Sequence, residues 1–300
     1  MRPVYLIGTV LFLLLGSCQS EQKKQQQLIG EAEKKLEESA DQQKAEDLVK
    51  HYLQYAETFP AEEEMNSKYL YRAAAWSYRL NHYSQAIELL NKAIKQHYRG
   101  SNTVKNALFL GAIYKEKLQN DFLSRTVYQA AHEAFPESAE LAEKVDGEWL
   151  ALDERLRSIQ QSIFDESGGR IDYRGANDFI NASTIYAMLL PGRERSADWL
   201  FEAAETARTI RAFSKALELY AWISDAFPES EKAAQALFLQ GFTLDSDLKR
   251  FDEAGAFYTQ FLERYPENVF AKDARFLLEN LGKDEEEIIR SFEEKKQLEQ

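Results

Sequence analysis

The sequence predicts an all-α protein, a solenoid of about fourteen helices in antiparallel hairpins. Composition points there first: 300 residues hold only 6 Pro and 13 Gly, and the abundant Ala, Leu, Glu, Lys and Gln favour helix almost throughout. A recurrent ending points there second. TFP at 58–60, AFPES at 134–138 and again at 226–230, and RYPEN at 264–268 share one pattern. Proline cannot continue an ordered helix, so Pro60, Pro136, Pro228 and Pro266 punctuate helix ends. Pro228 and Pro266 stand 38 residues apart, and Pro60 and Pro136 twice that, with Tyr98 at the midpoint.

Inside each period, small residues recur in pairs followed by a large side chain. The sets are Ala74, Ala86 and Leu90; Gly111, Ser124 and Tyr128; Ala204, Ala216 and Tyr220; Gly241, Ala254 and Tyr258. The two small residues are 12 apart in the first and third sets and 13 in the others, which predicts a one-residue longer turn at 119–121 and at 248–250.

This pattern resembles the tetratricopeptide repeat, and most closely the outer-membrane lipoproteins that carry it, the BamD-like and CpoB-like group. The resemblance is strongest over 198–282 and clear over 68–137. It implies a right-handed superhelical solenoid whose concave face is lined by the first helix of each hairpin. Carried over position by position, that face takes Lys68, Tyr71, Tyr78 and Arg79, then Lys105, Leu108 and Lys115, then Phe201, Glu205 and Arg208, then Gln235, Phe238 and Phe242. The carboxylate clamp of some family members needs Lys and Asn where this chain has Tyr71 and Ala75, so that clamp is expected to be absent.

Taken in order along the chain, residues 1–18 show one basic residue, an apolar run over 4–15, and Gly16-Ser17-Cys18. That is the layout of an export signal, and the run falls short of the ~20 residues a membrane-spanning helix needs. Leu15-Gly16-Ser17-Cys18 resembles the bacterial lipobox, which implies that Cys18 is acylated and becomes the N-terminus. Two or three acyl chains would hold the protein on a membrane effectively permanently. Residues 19–27 read as a flexible polar tether, residues 28–166 as an N-terminal helical array and 170–283 as a C-terminal one. Residues 140–164 read as one long amphipathic helix, followed by a turn at Ser167-Gly168-Gly169 and a partner helix over 173–189. Residues 284–300, with Asp284 and Glu287 as a capping box and Ile288, Ile289 and Phe292 on one face, read as a helix capping the last hairpin.

Charge and chemistry exclude several functions. The chain carries 37 basic and 50 acidic residues, a net −13, and removal of Arg2 with the signal leaves 36 against 50, a net −14. Nucleic acid is therefore not an expected partner. Cys18 is the only cysteine, so the mature body has no thiol nucleophile or disulfide other than through that residue. The four histidines, His51, His82, His97 and His132, never pair at metal-ligand spacing, and no phosphate loop, dinucleotide fingerprint or G-x-S-x-G elbow occurs. No cofactor is expected.

The expected function is a non-catalytic scaffold of the bacterial cell envelope, lipid-anchored at the outer membrane and facing the periplasm, that holds an extended peptide or partner protein in its groove. A surface-exposed lipoprotein that captures a glycan is the alternative. A glycan binder should expose pairs of flat aromatic rings, whereas Trp76, Trp149, Trp199 and Trp222 all fall at helical-core spacing. A hydrolase built on carboxylates without a sequence signature ranks third.

Overall fold

A computed structural model describes the backbone of residues 5–283 apart from 40, 99, 146, 148 and 165–169, together with 286, 287 and 290, and side chains from residue 20 onward. The chain divides into two compact units, Met1–Trp149 and Leu150–Gln300. Unit 1 contains α1 (Tyr5–Glu38), α2 (Gln42–Thr58), α3 (Glu63–Arg79), α4 (Tyr83–Gln96), α5 (Thr103–Glu116), α6 (Asp121–Ala134) and the one-turn α7 (Ala139–Ala142). Unit 2 contains α8 (Leu152–Ser162), α9 (Tyr173–Leu189), α10 (Ser196–Thr209), α11 (Phe213–Ala226), α12 (Glu231–Phe242), α13 (Phe251–Arg264) and α14 (Ala271–Glu279). Among the described residues these are the α-helices. The β-pairing found there is an isolated antiparallel bridge between Phe164 and Ile171.

Within each unit, helices adjacent in sequence pack on each other, giving a stack of hairpins. The second helix of every hairpin ends in the same way. Phe59, His97, Phe135, Leu190, Phe227 and Tyr265 leave the helical region at φ between −124 and −133° and ψ between 41 and 65°. Five of the six precede a proline, whose ring disfavours helical backbone in the residue before it. Tyr98 takes the proline's place in the sixth.

Small residues set the approach of the two helices in a hairpin. Ala74, Ala86, Ala204, Ala216 and Ala254 have no solvent exposure. At Gly111 a Cβ would lie 2.4 Å from the Tyr128 ring, and at Gly241 a Cβ would lie 2.8 Å from the Tyr258 ring. Only glycine lets those tyrosines lie flat on the facing helix.

The extra residue of the 13-residue spacings sits elsewhere than the turn where it was expected. All four hairpins place one residue in the left-handed region, Asn81, Gln119, Arg211 and Lys249, each five positions before the second small residue. The insertion lies before it, in the last turn of the first helix. In the 12-residue hairpins the next amide, of His82 or Ala212, bonds five residues back, to Ser77 and Ala207 at 2.8 Å. In the others, Asn120 and Arg250 reach six residues back, to Tyr114 and Leu244, again at 2.8 Å. The helix end widens, with a π-helical turn over Thr243–Asp247, and the turn itself is unchanged.

Three further expectations are corrected. Residues 19–27 are helical within α1, not a flexible tether. Gln22 and Gln26 donate to the Tyr55 hydroxyl at 2.9 and 3.0 Å, Tyr52 donates to Glu33 at 2.5 Å, Glu33 pairs with Arg72, and Ile29 and Leu36 are buried. The single helix expected over 140–164 is broken between α7 and α8, where Gly147 takes φ +88°. The boundary falls at Trp149/Leu150 instead of after 166, because α8 pairs with α9: the Asp172 amide donates to Ile163 at 2.8 Å, and Trp199 donates its indole N–H to Asp153 at 2.7 Å. The turn at Ser167-Gly168-Gly169 and most of the expected 284–300 cap, including Asp284, Ile288, Ile289 and Phe292, lie outside the described residues.

Candidate interaction groove

Unit 1 holds a groove of about 880 Å³ built by α3, α5, α6 and the segment 140–149. On α5, Lys105, Leu108, Ala112 and Lys115 stand at i, i+3, i+7 and i+10, so one helical stripe forms a wall. Tyr71 of α3 extends it and meets Phe109 edge-on at 5.9 Å. From α6 come Asp121, Arg125 and Tyr128, and from the segment after it Glu140, Glu143, Lys144 and Trp149. Because α6 packs on both α5 and α7, its side chains lie between the two walls. The Arg125 guanidinium sits 5.6 Å from the Trp149 ring, and the Lys144 ammonium 6.0 Å from Tyr128. Burial raises the Tyr128 phenol above the usual tyrosine range, so it stays neutral.

The lining carries four basic side chains, Lys105, Lys115, Arg125 and Lys144, and four acidic ones, Glu116, Asp121, Glu140 and Glu143. The groove is thus balanced in charge, in a chain whose net charge is −13. Among the described residues the Lys105 and Lys115 side chains make no ion pair or hydrogen bond.

Of the residues assigned to the concave face, Tyr71, Lys105, Leu108 and Lys115 thus meet in one groove. Tyr78 stands beside it, packing on Phe109 at 5.3 Å and under the Lys117 ammonium at 5.2 Å. Lys68 and Arg79 are exposed on α3, with the Arg79 guanidinium 4.6 Å over Trp76. Arg125, Glu140, Glu143, Lys144 and Trp149 were missed. Arg125 lies on the second helix of its hairpin, to which the concave face was not assigned, and the other four follow the second clear repeat, where periodicity alone reads as a buried stripe.

In unit 2 the same repeat positions meet one another. Phe238 is a core residue, 8% exposed, ringed by Phe242, Tyr258, Phe261 and Phe270 at 5.1 to 6.3 Å. Arg208 pairs with Asp247 at 2.6 Å and lies 4.9 Å over Phe242. Phe201 is covered by the Lys232 ammonium at 4.7 Å and packs on Tyr220, whose hydroxyl donates to Glu205. Burial, and after it that bond, push the Tyr220 phenol far above its usual range. A smaller recess of about 470 Å³, between α8 and α10, is paired internally in part. There Gln160 donates to Glu202 at 3.1 Å, and Arg195 lies 4.7 Å over Trp199.

Among the described residues no group of three or more His, Cys, Asp or Glu is arranged to hold a metal, and no helix is long and apolar enough to cross a membrane. The Cys18 side chain lies outside the described residues.

Close-crossing hairpins with two small positions and a shared helix-end geometry give the chain a helical-repeat fold of tetratricopeptide type. Residues 235–268 match the family described as tetratricopeptide repeat. No curated protein matches the chain in sequence. The solved TPR2AB-domain:pHSP90 complex of yeast Sti1 aligns with 87% of this chain and 98% of its own at 16% identity, with a TM-score of 0.31, a superposition too loose to argue from.

Proposed function

We propose that the chain is a non-catalytic scaffold that binds a partner protein through an extended segment laid in the unit 1 groove. The observation that carries this reading is the pair Lys105 and Lys115. Two ammonium groups lie on the wall of a large concavity with no internal partner among the described residues, beside Tyr71, Leu108 and Trp149. Aromatic and charged groups gathered in one recess supply both anchoring area and orientation. The fold is compatible with many activities, so the site and not the repeat carries the argument.

The setting we propose is the bacterial cell envelope, with Cys18 acylated and the body held at the outer membrane on its periplasmic side. The layout of residues 1–18 and the solitary cysteine support that reading. Affinity capture from detergent-solubilised envelopes tests the scaffold. A stoichiometric protein partner, lost on Lys105→Glu/Lys115→Glu, is expected, and capture that ignores the double variant would place binding off the groove. Intact-mass measurement of membrane-extracted protein tests the anchor: acyl chains on Cys18 are expected, and a bare cysteine or an uncleaved signal contradicts it.

A further inference from the structure

The two walls of the groove differ in the sign and the spacing of their charges. On α5, Lys105 and Lys115 are ten residues apart, about 15 Å of helix, and with Glu116 beside the second lysine that wall is net +1. On the facing segment, Glu140 and Glu143 are three residues apart, about 5 Å, and with Lys144, whose ammonium lies 6.0 Å over the Tyr128 ring, that wall is net −1. Leu108 and Ala112 lie between the lysines, and Asp121, Arg125 and Tyr128 lie between the walls. A uniformly acidic strand would suit the lysines and be repelled by Glu140 and Glu143. A uniformly basic one would meet the reverse.

An extended strand rises about 3.3 Å per residue and sends alternate side chains to opposite sides. Residues i and i+4 therefore lie about 13 Å apart on one side, matching the lysine pair. Residues i+1 and i+3 lie about 7 Å apart on the other, matching the glutamate pair. Residue i+2 falls between the lysines, over Leu108 and Ala112. Resting on the groove reading above, we infer that the occupant is an extended segment of mixed charge with the order acidic, basic, apolar, basic, acidic. Turning such a strand over sets the narrow pair against the wide one, so spacing as well as sign selects the register. Each wall attracts one face of the ligand and repels the wrong one.

Two end-blocked, fluorescein-labelled peptides of identical composition test this on the full chain. One carries Glu-Lys-Leu-Lys-Glu between Gly-Ser flanks and the other Lys-Glu-Leu-Glu-Lys. Anisotropy at low salt should show the first binding about tenfold tighter, with the preference abolished in Lys105→Glu/Lys115→Glu and weakened at higher salt. Equal binding of both peptides, lost together in that double variant, overturns the charge register and leaves the groove as the binding site. Binding of either peptide that is indifferent to the double variant overturns the register and the groove together. No binding of either peptide, with partner capture still sensitive to Lys105 and Lys115, overturns the mixed-charge ligand alone.

Discussion

Unit 1 and unit 2 put similar side chains at equivalent repeat positions, and the chains meet opposite fates. In unit 2 the inner-face cation Arg208 is paired within the fold, with Asp247 at 2.6 Å, and inner-face Phe201 is covered by the Lys232 ammonium at 4.7 Å. Phe238, at the same inner face, is sealed in the core. In unit 1, Lys105 and Lys115 line an open groove with no such partner among the described residues. A side chain with no internal partner contributes little to folding and remains available to a ligand. The repeat position alone does not separate the two cases, because the neighbour that satisfies Arg208 comes from the widened helix end at Thr243–Asp247.

The sharpest way to press on that contrast is through the glycines under the two tyrosines. Gly111→Ala forces the Tyr128 ring to move and should destabilise unit 1 by about 1–3 kcal/mol. Since Tyr128 lines the groove, partner affinity should fall with it. Gly241→Ala collides with Tyr258 and should cost unit 2 a similar amount with no change in affinity. Urea unfolding and binding on the same samples separate the two, and equal loss of affinity in both variants breaks the comparison.

Charge removal comes next. Asp247→Asn strips Arg208 of its partner at a site about one-quarter exposed and should cost unit 2 about 1 kcal/mol. Lys105→Ala and Lys115→Ala should each stay within about 0.5 kcal/mol of the parent. A larger loss for either lysine would mean that it is structural after all.

The smallest effect is one of pH. All four histidines fall in unit 1, and burial first of all holds the His97 imidazole below its usual value, against the opposing pull of Glu63. A lowered histidine keeps the fold's full contribution above the unfolded value of about 6.5, and that contribution is lost as pH falls below it. The carboxylate of Glu64 is also lowered, chiefly by the Ser101 hydroxyl, but its contribution is lost only below the ordinary carboxylate range. Between pH 7.5 and 5.5, hydrogen exchange should show unit 1 loosening and unit 2 unchanged, with His97→Gln flattening the trend.

The hairpins were legible because their determinants are local. Proline after an aromatic, and a small residue at each crossing, act within a few positions and left a visible period. The position of the inserted residue was not legible: a spacing of 13 fits a longer turn or a wider helix end equally well. The break inside 140–164 could have been seen, since a D-G pair ends at Gly147, but the apolar stripe through Leu141, Val145 and Trp149 outweighed it. Five of the groove's eight charges come from α6 and the segment beyond it, where no repeat position marks them. Phe238 was misplaced because inner-face aromatics and core aromatics share one register, and only the ring of neighbours around it decides.

The central claim is that the unit 1 groove binds the partner and the inner face of unit 2 does not, and association kinetics of the captured partner test it most directly. At low salt, Lys105→Glu/Lys115→Glu should slow association by about tenfold, with the difference shrinking at moderate salt, and Tyr71→Ala should chiefly speed dissociation. Arg208→Ala should leave both rates unchanged. Rates indifferent to the unit 1 changes but altered by Arg208→Ala would contradict the account and move the binding surface to Phe201, Phe242 and their neighbours in unit 2.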